Sequence, residues 1–106
     1  MNKYNTKAVA HYQLNKIKEL IRQGKCYITN KAIENAQGDF NIKPTEIYKY
    51  IIRLDNTHFY KSMTCDGDNR MWQDVYHFPV KPNKIAYIKL QISLEDETVV
   101  IQFKRK

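Results

Sequence analysis

Strict alternation of apolar and polar residues near the C-terminus constrains the fold of this chain more than any other feature. Between residues 85 and 94, every second position is apolar: Ala86, Ile88, Leu90, Ile92 and Leu94. Successive side chains of a β-strand point to opposite faces, so this period of two predicts a strand with one buried and one solvated face. The solvated face would carry Tyr87, Lys89 and Gln91. A sheet with one wet face is typical of antiparallel strands.

The last residues of the chain predict a partner for this strand. An acidic turn at residues 95–97 precedes a second β-rich run, in which Val99, Ile101 and Phe103 are predicted to face the core. Gln102 and Lys104 would then join the solvated face. The two strands are predicted to form an antiparallel hairpin.

The first half of the chain has helical periodicity instead. One predicted helix has apolar residues at positions 14, 17, 20 and 21 and ends at Gly24. A short extended piece at Cys26–Ile28 follows, and then a brief helix over residues 31–36 that ends at the turn signal of residues 37–39. Pro44 suits the first turn of a third helix, whose apolar stripe at positions 47, 51 and 54 ends near Asp55.

Helices therefore come first and strands come last, which predicts an α+β fold with N-terminal helices packed on one face of a mostly antiparallel sheet. A length of 106 residues predicts a single domain over residues 1–106. The formal net charge of +7 attracts polyanions such as nucleic acid, although many basic proteins bind none.

The two cysteines, Cys26 and Cys65, have neither a C-x-x-C arrangement nor the spacing of zinc ligands. We therefore expect free thiols in a reducing compartment, with no metal and no cofactor. No apolar leader follows the first lysine, and the apolar runs are too short to cross a membrane, which predicts a cytoplasmic protein.

Two further β-rich segments flank the turn signal at residues 66–69. A loop symmetric about Gly67 would place Lys61 opposite Gln73 and Met63 opposite Met71. A buried lysine is costly without a partner, so we place this face outward, beside Tyr87. Alternation adds three residues to the same set: Phe59, Val75 and His77. Three aromatic residues, Tyr60, Trp72 and Tyr76, are assigned to the core or to positions that support the site, although an aromatic residue at the edge of this face could instead stack an unpaired base.

Four strings in this half of the chain resemble the MqsR family of toxin ribonucleases from bacterial type II toxin-antitoxin systems: FYKSM at 59–63, WQDVY at 72–76, AYIKL at 86–90 and VVIQFKRK at 99–106. The resemblance covers residues 55–106 closely and the first half more loosely. It implies a RelE-like fold and a metal-independent, sequence-selective mRNA interferase that inhibits translation and growth. It also implies a cognate antitoxin of the MqsA kind, which contains zinc and a DNA-binding part.

Within that family, activity is associated with the lysine of the first string, the glutamine of the second and the tyrosine of the penultimate strand. These positions hold Lys61, Gln73 and Tyr87, which are the polar residues that alternation assigns to one face. The residue after WQDVY tends to be arginine in the relatives, so His77 is a departure from the pattern.

A ribonuclease without a metal can use the substrate's own 2′-hydroxyl as the nucleophile. The protein then has to supply a base, positive charge for the phosphorane oxygens and an acid for the leaving 5′-oxygen. We assign Lys61 to charge stabilisation with a role in proton transfer, Tyr87 to base or acid, and Gln73 to orientation. The division between Lys61 and Tyr87 stays open. Four further residues are predicted to contact RNA: Met63, His77, Lys89 and Lys104.

Two alternative hypotheses assign the chain to other classes of protein. A non-catalytic basic module would bind nucleic acid through phosphates alone, with strong salt dependence. A protein-interaction domain would instead use its basic face to bind an acidic partner. Without the family strings, a solvated cross-strand pair is the more common explanation of Lys61 and Gln73.

Overall fold

The computed structural model describes residues 5–65 and 68–106. Its architecture is α+β, with three helices and a mixed sheet of six strands in the order β1-β3-β4-β5-β6-β2. Strand β2 is parallel to β6, and the other neighbouring strands are antiparallel. The bounds are β1 Thr6–Lys7, α1 Leu14–Arg22, β2 Cys26–Ile28, α2 Asn30–Phe40, α3 Ile47–Ile52, β3 Phe59–Cys65, β4 Asp68–Lys81, β5 Lys84–Ile92 and β6 Thr98–Arg105.

Helix α1 confirms the helical periodicity of the sequence. Its buried residues are Ile17, Leu20 and Ile21, and Gly24 follows its end with a φ of 78°. This left-handed conformation is accessible to glycine at little cost, which is why the chain can turn sharply here.

Helix α2 is longer than its sequence predicts. It runs through Gly38 to Phe40 instead of ending at residue 36, and Asn41 ends it with a φ of 57°. Ala32, Ala36 and Phe40 are buried one turn apart, so the helix buries an aromatic ring by continuing. That burial outweighs the cost of about 1 kcal/mol for a glycine inside a helix.

The third helix begins as predicted but is shorter. Residues 44–46 form a 3₁₀ turn before α3, and Leu54 is fully buried although it lies beyond the end of the helix. Asp55 then caps a second 3₁₀ turn, accepting a hydrogen bond from the Thr57 N–H at 2.8 Å. The backbone N–H of Asp55 donates in turn to Nδ1 of His58 at 3.0 Å, so this histidine has a capping role that the sequence did not indicate.

A single cluster of buried side chains combines the three helices with strands β4, β5 and β6. From the strands it takes Tyr76, Phe78, Ala86, Ile88, Leu90, Val100 and Phe103. The predicted alternation of β5 is therefore confirmed at its centre, but the strand ends at Ile92 and Leu94 is 92% exposed. Tyr76 belongs to this core, as predicted.

The predicted core face of β6 is wrong in part because the strand contains a bulge. Lys89 pairs with Gln102 while the next residue, Leu90, pairs with Val100, which leaves Ile101 as an extra residue. Val100 therefore faces the core together with Phe103. The expectation that Val99 and Ile101 would do so does not hold.

The register of the β3–β4 hairpin also differs from the symmetric loop expected from the sequence. Lys61 lies opposite Val75, and Met63 lies opposite Gln73. The shift arises near the turn, where Thr64 pairs with Trp72 but the next residue pairs with Asp68. Residues 66 and 67 of the predicted turn lie outside the described residues. A displacement of two residues keeps every side chain on its face, so Gln73 and Lys61 still share one.

The segment before α1 is attached to the core side of β4 by a buried carboxylate. Asp74 is fully buried, and its two oxygens accept the backbone N–H groups of His11 at 3.0 Å and Tyr12 at 2.9 Å. The His11 ring also stacks on Trp72, with centroids 5.6 Å apart. The His11 side chain is exposed, and these contacts give the residue partners that the sequence did not show.

Candidate active site on the sheet

The side of the sheet opposite the core cluster carries mostly polar residues, and we call this side the polar face. Directly paired residues of neighbouring antiparallel strands share a face, so the register arranges its members in rows. The first row contains Met63 and Gln73, the second contains Lys61, Val75, Lys89 and Gln102, and the third contains His77, Tyr87 and Lys104.

The three predicted catalytic residues lie on three adjacent strands of this face. With strands about 4.8 Å apart and a rise of about 3.3 Å per residue, the Cα atom of Lys61 lies about 8 Å from that of Gln73 and about 12 Å from that of Tyr87. The same geometry separates Gln73 from Tyr87 by about 14 Å. Lys61 is therefore the central member, and Gln73 and Tyr87 lie on either side of it.

Lysines surround the Tyr87 ring. Nζ of Lys104 lies 5.2 Å from its centroid and Nζ of Lys89 lies 5.9 Å from it. Partial burial lowers the pKa of Lys89, and the nearby charges of Lys104 and Lys61 lower it further. Lys89 therefore lies close to two other cations, Lys61 and Lys104, and three cations on a small area attract a phosphate.

Gln73 is nearly buried, with 8% of its surface exposed. Its amide Nε2 donates to Oε1 of Gln91 on the neighbouring strand at 3.2 Å. This bond leaves the orientation of the Gln73 side chain restricted before any substrate arrives. Sequence reasoning placed Gln91 on the wet face but did not identify it as the partner of Gln73.

Tyr60 reaches the polar face because β3, like β6, contains a bulge. Phe59 pairs with Tyr76 and Lys61 pairs with Val75, so Tyr60 is the extra residue between them. Phe59 consequently packs edge-on against Tyr76, with ring centroids 5.6 Å apart, and leaves the set that alternation assigned to it. Tyr60 is 53% exposed, so its assignment to the core is wrong.

The Tyr60 ring stacks on the imidazole of His77, with centroids 4.3 Å apart and an interplanar angle of 23°. His77 in turn lies 5.9 Å from the Tyr87 ring. Partial burial, followed by the charges of Lys106 and Lys61, lowers the pKa of His77. Near neutral pH the imidazole is therefore mostly uncharged, which suits stacking more than phosphate binding.

Among residues 5–65 and 68–106, no group of three or more His, Cys, Asp or Glu side chains is arranged to hold a metal ion. Cys26 and Cys65 are free thiols. Within the same ranges, no helix is long and apolar enough to cross a membrane.

The fold and the polar face define a small basic α+β protein whose sheet presents lysines, aromatic rings and a fixed amide on one surface. A family model described as "Motility quorum-sensing regulator, toxin of MqsA" matches residues 9–105. The chain is also 31% identical over 101 residues to the mRNA interferase toxin MqsR of Escherichia coli (strain K12), in an alignment that covers 94% of this chain and 98% of the relative.

The chain therefore belongs to the MqsR toxin family. This confirms the resemblance that the four strings carry and extends it into the helical half of the chain, where the sequence motifs alone were weak.

Proposed function

We propose that the polar face is the active site at which this toxin, an mRNA interferase, cleaves RNA without a metal ion. Membership of the MqsR toxin family supports the toxin and interferase assignments, because the relative is named an mRNA interferase toxin. The observation that carries the proposed site is the common face of Lys61, Gln73 and Tyr87, with Lys89 and Lys104 beside the tyrosine.

The reaction proposed for this face is an internal transfer of the phosphoryl group. The 2′-oxygen of the RNA bonds to the adjacent phosphorus, and the bond from phosphorus to the 5′-oxygen breaks. The proton of the 2′-hydroxyl goes to a base, and an acid gives a proton to the leaving oxygen. The products are a 2′,3′-cyclic phosphate and a 5′-hydroxyl, and DNA is not cleaved because it has no 2′-hydroxyl.

Lys61 occupies the centre of the site, and we assign it to the charge that develops on the phosphorane oxygens. Tyr87 and Lys61 share the two proton transfers, one as the base and the other as the acid. Lys89 and Lys104 hold the phosphate beside Tyr87. Gln73 lies on the far side of Lys61 from Tyr87. We therefore propose that it orients a neighbouring group of the RNA instead of contacting the same oxygen as Tyr87.

Two residues at the margins of the site are proposed to contact the flanking nucleotides. Met63 pairs with Gln73 at one end of the face, where its flexible side chain suits the lining of a base pocket. His77 lies at the other end, next to Tyr87. These contacts would supply the selectivity for a short sequence.

The remaining parts of the proposal follow from the family. We propose a RelE-like fold in which the helices pack on one face of the sheet within one domain, and a cytoplasmic location, where mRNA is available. A toxin of this family implies an antitoxin partner. We further propose that this partner is MqsA-like, with bound zinc and a DNA-binding part.

The decisive experiment is cleavage of a single-stranded mRNA fragment by the purified protein in excess EDTA. We expect cleavage without a divalent ion, and products that end in a 2′,3′-cyclic phosphate. Lys61→Ala is expected to lower kcat by about 10²- to 10³-fold, the usual effect of removing a group that stabilises transition-state charge. Tyr87→Phe is expected to lower it by about 10²- to 10⁴-fold, because the ring remains but its proton is lost.

Lys49→Ala is the matched control. This lysine is exposed on α3 in an ion pair with Glu46 at 3.7 Å, so its loss removes a positive charge away from the polar face and should leave kcat unchanged. A strict requirement for a divalent ion, or full activity in both active-site variants, would refute the proposed chemistry. Binding that weakens steeply with salt but never breaks a strand would favour the non-catalytic module instead.

A further inference from the structure

The bulge in β3 produces an aromatic surface beside the catalytic lysine that regular alternation would not create. Tyr60 and Lys61 follow each other along the chain, yet the extra residue directs the tyrosine ring toward His77 on the polar face. The ring is 53% exposed. Bulges of this kind often re-aim a side chain next to a functional site.

The Tyr60 ring is supported on one side. The His77 imidazole lies nearly parallel to it at 4.3 Å, so the ring has limited freedom to rotate away. Nζ of Lys61 lies 5.4 Å from its centroid, which places a cation next to the exposed aromatic surface. One face of the Tyr60 ring is therefore held by the imidazole, and a cation lies beside the ring. This arrangement suits a ligand that has a planar ring joined to an anionic group.

A nucleobase with its phosphate is such a partner. Proteins that bind single-stranded nucleic acid combine a cationic surface for the backbone with aromatic side chains on which bases stack. On the polar face, the cations of Lys61, Lys89 and Lys104 would take the phosphate, and Tyr60 lies directly beside them. Tyr48 is also exposed, by 43%, but it lies on α3 and not on the sheet.

We infer that Tyr60, supported by His77, is a stacking platform for one unpaired base of the RNA, next to the phosphate that is cleaved. This inference rests on the proposed function, because it assumes that RNA occupies the polar face. It makes Tyr60 a substrate-binding residue that sets the position of one nucleotide, and it gives His77 a supporting role instead of a phosphate contact.

The test measures the binding of a non-cleavable RNA that carries 2′-O-methyl groups, and of a series of the same RNA with one abasic nucleotide at successive positions. Tyr60→Leu is expected to weaken binding of the intact RNA by about 5- to 150-fold, the range found when an aromatic side chain that stacks a base is removed. Tyr60→Phe should retain wild-type affinity because it keeps the ring. Tyr48→Leu is the matched control, because this exposed tyrosine lies on α3 and not on the polar face, and it should have no effect.

The coupling between the residue and the base is the readout that a merely structural role would not give. With the wild-type protein, one abasic position should weaken binding by a factor similar to that of Tyr60→Leu. With the Tyr60→Leu variant, this abasic RNA should bind no more weakly than the intact RNA binds to the same variant. If no abasic position behaves in this way, the platform is refuted. The abasic series with the wild-type protein decides this even if the variant folds poorly.

Cleavage and binding together distinguish failure of the stacking platform from failure of the proposed function. If the wild-type protein neither binds nor cleaves RNA, both the proposed function and the platform are wrong. If it cleaves RNA but Tyr60→Leu binds and cleaves as the wild type does, only the platform is wrong.

Discussion

The substitution Asp74→Asn tests how strongly the segment before α1 is attached to the sheet. Both carboxylate oxygens of Asp74 accept a backbone N–H, from His11 at 3.0 Å and from Tyr12 at 2.9 Å, and the residue is fully buried. Asparagine can accept only one of these bonds and presents an NH₂ group to the other donor. A hydrogen bond to a charged group contributes about 1.5–3 kcal/mol, against about 1 kcal/mol for a neutral one.

The expected cost therefore combines the complete loss of one bond with the weakening of the other, which amounts to about 2–5 kcal/mol. For a domain of this size, a loss of 1 kcal/mol lowers Tm by about 4 °C or more, so the total decrease should be at least about 8 °C. Urea unfolding followed by circular dichroism gives the change in free energy directly. Limited proteolysis should also cut the variant more rapidly before α1.

Asp96→Asn is the control for this experiment. Asp96 lies in an exposed turn with a φ of 61°, a conformation that asparagine adopts well, and its ion pair with Lys16 spans 3.4 Å at the surface. Its unfolding free energy should change by less than about 0.5 kcal/mol. If Asp74→Asn were equally silent, the two buried hydrogen bonds would contribute little and the reasoning about this attachment would be refuted.

Three further predictions concern the polar face and the core beneath it. Gln91→Met removes the 3.2 Å bond to Gln73, a loss of about 1 kcal/mol that should lower Tm by about 4 °C and kcat by about fivefold. An unchanged kcat would show that Gln73 needs no positioning. The pKa of His77 is lowered by burial and then by the charges of Lys106 and Lys61. The unfolded state therefore binds a proton on this imidazole more tightly than the folded state does, so the free energy of unfolding should fall as pH drops below about 6.5. His77→Asn should flatten that part of the curve of urea midpoint against pH. Burial and then Asp74 raise the pKa of Tyr76 to about 12, so the stability that its neutral phenol supplies should be lost as pH rises from about 10 to about 12. Alkaline unfolding of Tyr76→Phe should lack this dependence.

Local periodicity was sufficient to predict the elements whose buried residues repeat regularly along the chain. The apolar positions of α1 and the centre of β5 repeat with the period of their secondary structure, so each element has only one face that can be buried. The same alternation placed Lys61, Gln73 and Tyr87 together, because a charged residue facing the core would have cost too much. These inferences need no knowledge of which elements become neighbours.

Contacts between distant parts of the chain decided the rest. The bulges at Tyr60 and Ile101 exist because pairing the flanking residues buries Phe59 and Val100, and no short stretch of sequence contains that information. Phe40 extends α2 through Gly38 for the same reason. Sequence alone determined which side chains share a face where a strand is regular. Tertiary packing determined the bulges, which move other side chains to the opposite face, and the neighbours of each residue, since a strand's period is local but its register depends on the free energy of the whole core.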